Sequence, residues 1–284
     1  MALQLEAVTS QDHGFLPKFV FSEVRDEPKG KINVLNLPNF FLEGEIAVVT
    51  GGGSGIGRAV ALAFAAAGAQ VVVLDARETA ASQVAEEIGI SAHALAADVT
   101  DEETIERSFS DIALRHGHID VLFNNAGINR RQPSLEMALD DWNAVIAVNM
   151  TGMFICARAA VRHMVPGGRI VNTASMLGLS GGWYPNIAYQ ATKGAVVNMT
   201  RSWAVEWAPR RIRVNAVAPG PVRTPFIAAL TDQPDLVAQL EQLTPLRRLA
   251  EVEDVTGPVL FLASSASAMV TGHILPVDGG MLAQ

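Results

Sequence analysis

Tyr189 and Lys193 stand four residues apart in the stretch Tyr189-Gln190-Ala191-Thr192-Lys193. On a helix that spacing puts both side chains on one face, so a phenol and an ammonium can point into the same cleft. A phenol alone titrates near pH ~10, and a cation held beside it favours the phenolate, making a usable base near neutrality. Such a pair is common on ordinary helices, so it needs a second feature. That feature is the glycine-rich turn Thr50-Gly51-Gly52-Gly53-Ser54-Gly55-Ile56-Gly57.

A strand-like run precedes this turn and a helix-like run follows it. Backbone N–H groups at that helix start, with the positive end of its dipole, suit a pyrophosphate, and glycines let the backbone approach closely. The spacing Gly51, Gly55, Gly57 is not G-x-G-x-x-G, and glycine clusters also make plain tight turns. Asp75, at the end of the next strand-like run, is placed to accept hydrogen bonds from adenosine ribose hydroxyls. A 2′-phosphate there would meet like charge, a penalty on the order of a few kcal/mol at an effective dielectric of ~20. Ser54 and Ala76 supply no cation beside Asp75, and Arg77 is the residue able to blur the preference. NAD is therefore expected over NADP.

The elements that must position these groups alternate from Gly44 onward. Strand-like runs fall at Ile46–Thr50, Gln70–Leu74, Ala92–Ala96, Val121–Asn124, Arg169–Thr173, Ile212–Val217 and Ile274–Val277. Helix-like segments lie between most of them, among them Ile56–Ala67, Asp101–His116 and Ala188–Ala208. Alternation of this kind predicts an α/β fold, a Rossmann-type doubly wound parallel sheet with helices on both faces, in which ligands bind beyond the carboxyl ends of the strands. Residues 41–284 are expected to form this single domain. Residues 1–40 read as an arm: prolines and glycines break any period, yet Phe15, Leu16, Phe19, Val20 and Phe21 are apolar enough to dock on the domain or on a neighbouring subunit. A loosely ordered terminus is the alternative.

Bulk properties narrow the class. Of 284 residues 49% are hydrophobic, which suffices for a sizeable core, and the net charge of −8 argues against a nucleic-acid partner. The single Cys156, among Met153, Phe154 and Ile155, excludes an intrachain disulfide and reads as a small buried residue in a reducing compartment. Six scattered histidines show no metal-ligand spacing, so no metal is expected, and His118 and His273 read as ordinary residues. No apolar run approaches the ~20 residues of a membrane span, and no signal-peptide core opens the chain, so a cytoplasmic protein without a membrane partner is expected.

Thr50-Gly51-x-x-x-Gly55-Ile56-Gly57, Asn124-Asn125-Ala126-Gly127, Ser175 with Tyr189-x-x-x-Lys193, Pro219-Gly220 before Thr224, and Val277-Asp278-Gly279-Gly280 follow one another in order. Together they resemble the short-chain dehydrogenase/reductase family from about residue 41 to the end. The resemblance implies hydride transfer between a nicotinamide dinucleotide and a carbinol or carbonyl carbon, with Tyr189 as acid/base. Lys193 would lower its pKa and hold the nicotinamide ribose, Ser175 would hydrogen-bond the substrate oxygen, and Asn149 would link the lysine to solvent. Gly51, Ser54, Gly55, Ile56 and Gly57 would face the pyrophosphate. Asp98 and Val99 would lie at the adenine, Asn125, Ala126 and Gly127 along the adenosine, and Pro219, Gly220, Val222 and Thr224 at the nicotinamide. Asp98 has a second reading as a helix cap, since Thr100-x-x-Glu103 resembles a capping box, and Asn124 and Asn125 have one as supports of the sheet edge. Relatives of this kind are homo-oligomers, tetramers foremost.

Specificity should reside in loops at the strand ends, with Asn129-Arg130-Arg131, Leu177–Ile187 and Pro225–Leu243 as the candidates. Arg130 and Arg131 are placed to receive a substrate carboxylate or hydroxyls, or else are solvated loop charges. Trp183 and Tyr184 belong to another such loop; Tyr184 is a rival phenol without a lysine four residues on, and Ser180 a rival hydroxyl. The stretches around Arg130 and Ser175 are similar to gluconate-type dehydrogenases of the family, which implies a sugar, polyol or sugar acid. A 3-oxoacyl or small-ketone reductase, and a nucleotide-sensing protein without the reaction, are the other readings. Met199, Trp203 and Trp207 form a stripe expected to pack.

Overall fold

Seven parallel strands lie side by side in the order β3-β2-β1-β4-β5-β6-β7 in the computed structural model, which describes residues 39–284. They are β1 (Ile46–Thr50), β2 (Gln70–Asp75), β3 (Ala92–Ala96), β4 (Ile119–Asn124), β5 (Met164–Thr173), β6 (Arg213–Pro219) and β7 (Ile274–Val277). Each of the seven expected runs is a strand. The chief difference is β5, which starts five residues before the predicted Arg169, where Gly167 and Gly168 hide it from any apolar pattern. The arm expected over residues 1–40, with its docking side chains Phe15 to Phe21, lies outside the described residues apart from its last two.

Helices α1 (Gly55–Ala66), α2 (Glu78–Ile88), α3 (Glu102–His116), α4 (Leu139–Ile146), α5 (Met153–His163), α6 (Ile187–Glu206), α7 (Ala228–Thr231), α8 (Pro234–Leu243) and α9 (Val252–Ala263) complete the chain. Strand residues alternate between two cores. Val48, Val72, Leu122 and Ile170 meet Ile105, Phe109, Ile155 and Trp203, whereas Val49, Val71, Val73 and Phe123 meet Phe64, Val84 and Val259. Because both faces are covered, β1 is buried at every position and reads as one apolar run. Each such side chain contributes roughly 1.5–3 kcal/mol on burial. Trp203 and Trp207 stack at 5.2 Å and pack with Met199 on the first core, as their stripe predicts.

Two local features bear on these expectations. Asp101, not Thr100, caps α3: its Oδ1 accepts the Thr104 N–H at 3.0 Å and its Oδ2 the Thr104 hydroxyl at 2.7 Å. The helix begins one residue later than the Thr100-x-x-Glu103 pattern requires, and Asp98 instead turns the chain by accepting the Thr100 N–H at 2.9 Å. Second, α4 runs through a wide turn at Ala147–Gly152 into α5, and the whole rod Leu139–His163 is 25 residues long, with an 18-residue stretch of mean hydropathy 1.7. By length and composition this helix could cross a membrane, although Asp140, Asp141, Asn143, Asn149, Arg158 and Arg162 interrupt any continuous apolar run. Its alanine-rich face, with Ile155 and Cys156, is buried in the first core, which accounts for that composition.

The order of strands reverses its direction of growth between β1 and β4. Loops leaving these two strands part in opposite directions and open a crevice at their carboxyl ends.

Candidate active site

A cleft of about 530 Å³ fills that crevice, bordered by Gly51, Asp75, Asp98, Asn125, Thr224 and Tyr189 among others. One end is built by the turn after β1. Gly51 has φ +64°, and a Cβ there would lie 2.9 Å from the Ala126 Cα. A Cβ on Gly57 would stand 2.1 Å from the Gly51 carbonyl oxygen, so the first turn of α1 can lie against the loop only with glycine there. Asn125 locks the same turn. Its Nδ2 donates to the carbonyls of Thr50 and Gly51, while its own N–H and that of Ala126 donate to the Thr50 hydroxyl at 2.9 and 3.1 Å. Asn124 is buried, and its Nδ2 donates to the Met153 carbonyl at 2.8 Å. Both asparagines therefore support the sheet edge, while Asn125, Ala126 and Gly127 also border the cleft.

Asp75 is buried at the cleft wall. Its carboxylate accepts the Gly53 and Arg77 N–H groups at 3.0 Å each. The Arg77 guanidinium reaches Asp75 Oδ1 at 3.4 Å and the Ser54 hydroxyl at 3.1 Å. A cation does therefore stand beside Asp75, supplied by Arg77. Ser54, Gly55, Ile56, Asp98, Val99, Pro219, Gly220, Val222 and Thr224 all border the cleft, as the family resemblance implies. Gly57 does not; it is buried behind the turn as a packing residue. Thr224 lies across from the glycine turn, its side chain 3.4 Å from where a Gly55 Cβ would be. A glycine cradle at a helix start, a carboxylate at the end of β2 and a long cleft joining them to Tyr189 fit a nicotinamide dinucleotide.

The other end holds Ser175, Tyr189 and Lys193 together. Ser175 lies two residues beyond β5, and its oxygen accepts the Leu177 N–H at 3.1 Å, which leaves the hydroxyl proton free to donate into the cleft. Lys193 is 2% exposed; its Nζ lies 5.4 Å from the Tyr189 ring centre and donates to the Thr173 carbonyl at 2.6 Å. Burial lowers its pKa to about 8. The Tyr189 phenol, by contrast, is pushed above its ordinary value, chiefly by burial, although the Ser175 hydroxyl and the Arg131 charge pull it back. The four-residue spacing does place both groups on one face, and removal from water penalises the charged form of each.

Asn149 is fully buried in the wide turn between α4 and α5. Its Oδ1 accepts the Ile128 N–H at 2.8 Å, and its Nδ2 donates to the Ile128 carbonyl at 2.9 Å and to the Thr192 hydroxyl at 3.3 Å. It thereby ties the loop after β4 to the helix that carries Tyr189 and Lys193. The two arginines of that loop part company. Arg130 points away to Asp141, 3.3 Å distant, and does not border the cleft. Arg131 does border it, and its Nε is buried without a partner.

Trp183 and Tyr184 both line the cleft, whereas Ser180 does not; its hydroxyl donates to the Met176 carbonyl. One residue, Thr173, escaped the sequence reading, whereas Asn129 and Phe226 fall in stretches it expected to set specificity. Thr173 joins the two ends, since its carbonyl holds Lys193 and its hydroxyl donates to Asn125 Oδ1 at 3.1 Å. Its place at the end of β5, two residues before Ser175 in extended backbone and hence on the same face, was a usable signal. Phe226 lies against the Tyr189 ring, 5.7 Å between centres, and Asn129 borders the cleft with a buried, unpartnered Oδ1. Among the described residues no group of three or more His, Cys, Asp or Glu side chains gathers to hold a metal. Burial raises the Cys156 thiol pKa and leaves it inert.

The sequence model of a family described as enoyl-(acyl carrier protein) reductase matches residues 51–282, the whole span that builds this cleft. The chain belongs to the short-chain dehydrogenase/reductase family. Within that family it is 42% identical over 246 residues to the galactitol 2-dehydrogenase (L-tagatose-forming) of Cereibacter sphaeroides, covering 85% of this chain and 96% of that one. It is 39% identical to the 3-oxoacyl-[acyl-carrier-protein] reductase FabG of Aquifex aeolicus, covering 84% of this chain and 98% of the relative. Among solved structures, a gluconate 5-dehydrogenase from Burkholderia cenocepacia J2315 in complex with NADP and tartrate superposes with a TM-score of 0.83 at 37% identity, over 86% of this chain and 98% of that one. This dehydrogenase/reductase is thus an oxidoreductase, with relatives acting on both sugars and acyl groups.

Proposed function

We propose that this protein is an NAD-dependent dehydrogenase that interconverts a secondary alcohol and a ketone on a small hydroxylated substrate, a sugar, polyol or sugar acid, whose acidic group is received by Arg131. The observation that carries the reading is that guanidinium: Arg131 borders the cleft, and its charge acts on the Tyr189 phenol. Arg is suited to a carboxylate because its planar fork matches two oxygens. The tartrate bound to the gluconate dehydrogenase relative, a hydroxy acid, is consistent with such a partner.

When bound, a nicotinamide dinucleotide supplies the acceptor or donor of the hydride. The chain's own residues manage one proton and one oxygen. Ser175 donates to the substrate oxygen and stabilises the charge that develops there. In reduction, Tyr189, protonated in the buried site, gives its proton to the carbonyl oxygen as the carbon gains the hydride. In oxidation the hydroxyl proton passes to the Tyr189 oxygen, with the Lys193 charge nearby favouring the phenolate that must form first. Asp75 supports NAD, since it would meet a 2′-phosphate with like charge, and Arg77 offsets part of that penalty. We also place the protein in the cytoplasm as a homo-oligomer, a tetramer foremost, without nucleic-acid or membrane partners; its acidity, with net charge −8, and its buried lone thiol support this.

A second reading, reduction of 3-oxoacyl groups, is favoured by the Leu177, Leu230 and Leu240 side chains of the cleft and by the FabG relative. Initial rates with NAD(H) and NADP(H) across aldonic acids, sugars, polyols, simple secondary alcohols and 3-oxoacyl thioesters separate the two. We expect turnover of acids with NAD, lost in Tyr189→Phe with dinucleotide binding intact, and at least tenfold weaker KM in Arg131→Met. Turnover confined to acyl thioesters with NADPH, or full activity of Tyr189→Phe, would overturn the reading. Binding of the dinucleotide with no reaction at all would favour a nucleotide-sensing role.

A further inference from the structure

Residues 225–243, which carry α7 and α8, roof the cleft through Phe226, Ile227, Leu230 and Leu240. Their anchorage is uneven. Among the described residues, no hydrogen bond or ion pair ties residues 225–239 to anything beyond this stretch and Thr224. The tethers gather at the far end of α8. There the Leu243 carbonyl accepts Gln284 Nε2 at 2.9 Å, the Gln242 carbonyl accepts Arg247 Nη1 at 2.5 Å, and Glu241 Oε1 accepts Arg223 Nη2 at 3.2 Å. The last of these joins both ends of the stretch. Arg223 immediately precedes Thr224 and lies 18 residues from Glu241, so the ion pair closes the base of the roof as a clasp.

Arg223 is itself held in place. Its N–H donates to the Ala250 carbonyl at 2.8 Å and the Ala250 N–H to the Pro221 carbonyl at 3.0 Å, a short parallel bridge centred on Val222 and Ala250. Side chains alternate along such an extended run, so Val222 and Thr224 border the cleft while Arg223 does not. Its Nε rests on the Glu251 carboxylate at 3.3 Å, at the start of α9, so one guanidinium fork serves carboxylates on two elements. The two residues that border the nicotinamide end thus flank the one that clasps the roof. We propose that Arg223 is a positioning residue for the bound dinucleotide: its pairing with Glu241 holds the roof over the nicotinamide end, and the dinucleotide leaves through the opening that breaks this pair. This requires a nicotinamide dinucleotide in the cleft but no particular substrate, so it stands or falls apart from the sugar-acid reading. Both partners are partly in water, with side-chain exposures of 40% and 36%, so breaking the pair shifts the opening equilibrium about two- to fivefold, and salt screens it.

The test measures amide hydrogen exchange and the dissociation rate of NADH or NADPH, whichever binds more tightly, by stopped-flow fluorescence. It uses the full-length protein and the variants Glu241→Gln, Arg223→Met, Arg223→Lys and Glu251→Gln. In Glu241→Gln and Arg223→Met, amides of residues 228–240 are expected to exchange about two- to fivefold faster with dinucleotide bound, and the dinucleotide to leave faster by the same factor. Amides of α1 and α6 should keep their rates. Arg223→Lys, which keeps a charge able to reach one carboxylate, should fall between, and Glu251→Gln, which leaves the clasp intact, should change neither rate. Raising NaCl from about 0.05 to about 0.5 M should bring the unmodified protein to the level of Glu241→Gln and move that variant little. Unchanged exchange and dissociation in both clasp variants would overturn the proposal, as would faster exchange without faster dissociation or an equal effect in Glu251→Gln. Exchange quickened throughout the protein in Glu241→Gln would mark a merely structural contact and overturn it too, as would failure of both dinucleotides to bind.

Discussion

Replacing Lys193 by methionine removes a buried charge, and the structure fixes both the size and the pH dependence of the effect. The lysine pKa falls from its ordinary 10.5 to about 8 on burial. At 1.36 kcal/mol per unit, that is a cost of about 3 kcal/mol to the folded state wherever the lysine is charged in both states. Methionine has a similar length and no charge, but it leaves the Thr173 carbonyl without its donor, a loss of roughly 1–2 kcal/mol. Below pH 8, Lys193→Met should therefore stabilise the dinucleotide-free protein by about 1–2 kcal/mol, a rise of roughly 2–6 °C in Tm. Between about pH 8 and 10.5 the native lysine is neutral while the unfolded chain still holds its proton, so the native protein gains stability with rising pH and the variant does not. By pH 9.5 the difference should shift by about 2 kcal/mol and change sign. Tyr189 contributes the opposite slope only above pH ~10, where unfolded tyrosine ionises and the buried phenol does not, so the scan stops short of that range. Melting curves of both proteins, each without added dinucleotide, from pH 6.5 to 9.5 provide the assay. A Tm difference that is constant across this range, or a variant less stable at every pH, would refute the assignment of a strained, buried ammonium.

Thr173→Val should weaken dinucleotide binding about five- to tenfold, because Asn125 loses the donor that sets its amide against the glycine turn; Thr173→Ser should restore it. Titration by intrinsic fluorescence checks both variants, and unchanged affinity in Thr173→Val would remove the link between the two ends of the cleft. Gly57→Ala places a Cβ 2.1 Å from the Gly51 carbonyl oxygen, and should cost about 3 kcal/mol or more together with dinucleotide binding. Thermal melting and titration measure the two losses. Arg77→Ala should raise the KM for NADP roughly tenfold with little change for NAD, since the guanidinium is 63% exposed and its effect is screened. Steady-state rates with the two cofactors decide this, and an equal change in both would refute it.

Much of the fold is legible along the chain because its signals are local. A parallel strand covered on both faces must be apolar throughout, so Ile46–Thr50 and Gln70–Asp75 announce themselves, whereas Gly167 and Gly168 at the start of β5 carry no such mark. The glycine turn, Asp75, Ser175, Tyr189 and Lys193 are likewise readable, since backbone approach and helical spacing depend only on near neighbours. Tertiary structure decided what depends on distant ones. Arg130 and Arg131 are adjacent in sequence, yet α4 offers Asp141 to the first, and the loop turns the second into the cleft. Phe226 reaches Tyr189 from the loop after β6, and Thr173 connects lysine to asparagine through partners on two other elements. Even the ionisation of Tyr189 and Lys193 belongs to this second kind. Four-residue spacing brings the two side chains to one face, but how much water remains around them is set by the sheet, the loops and α6 closing together, and that closure moves both pKa values toward the neutral forms.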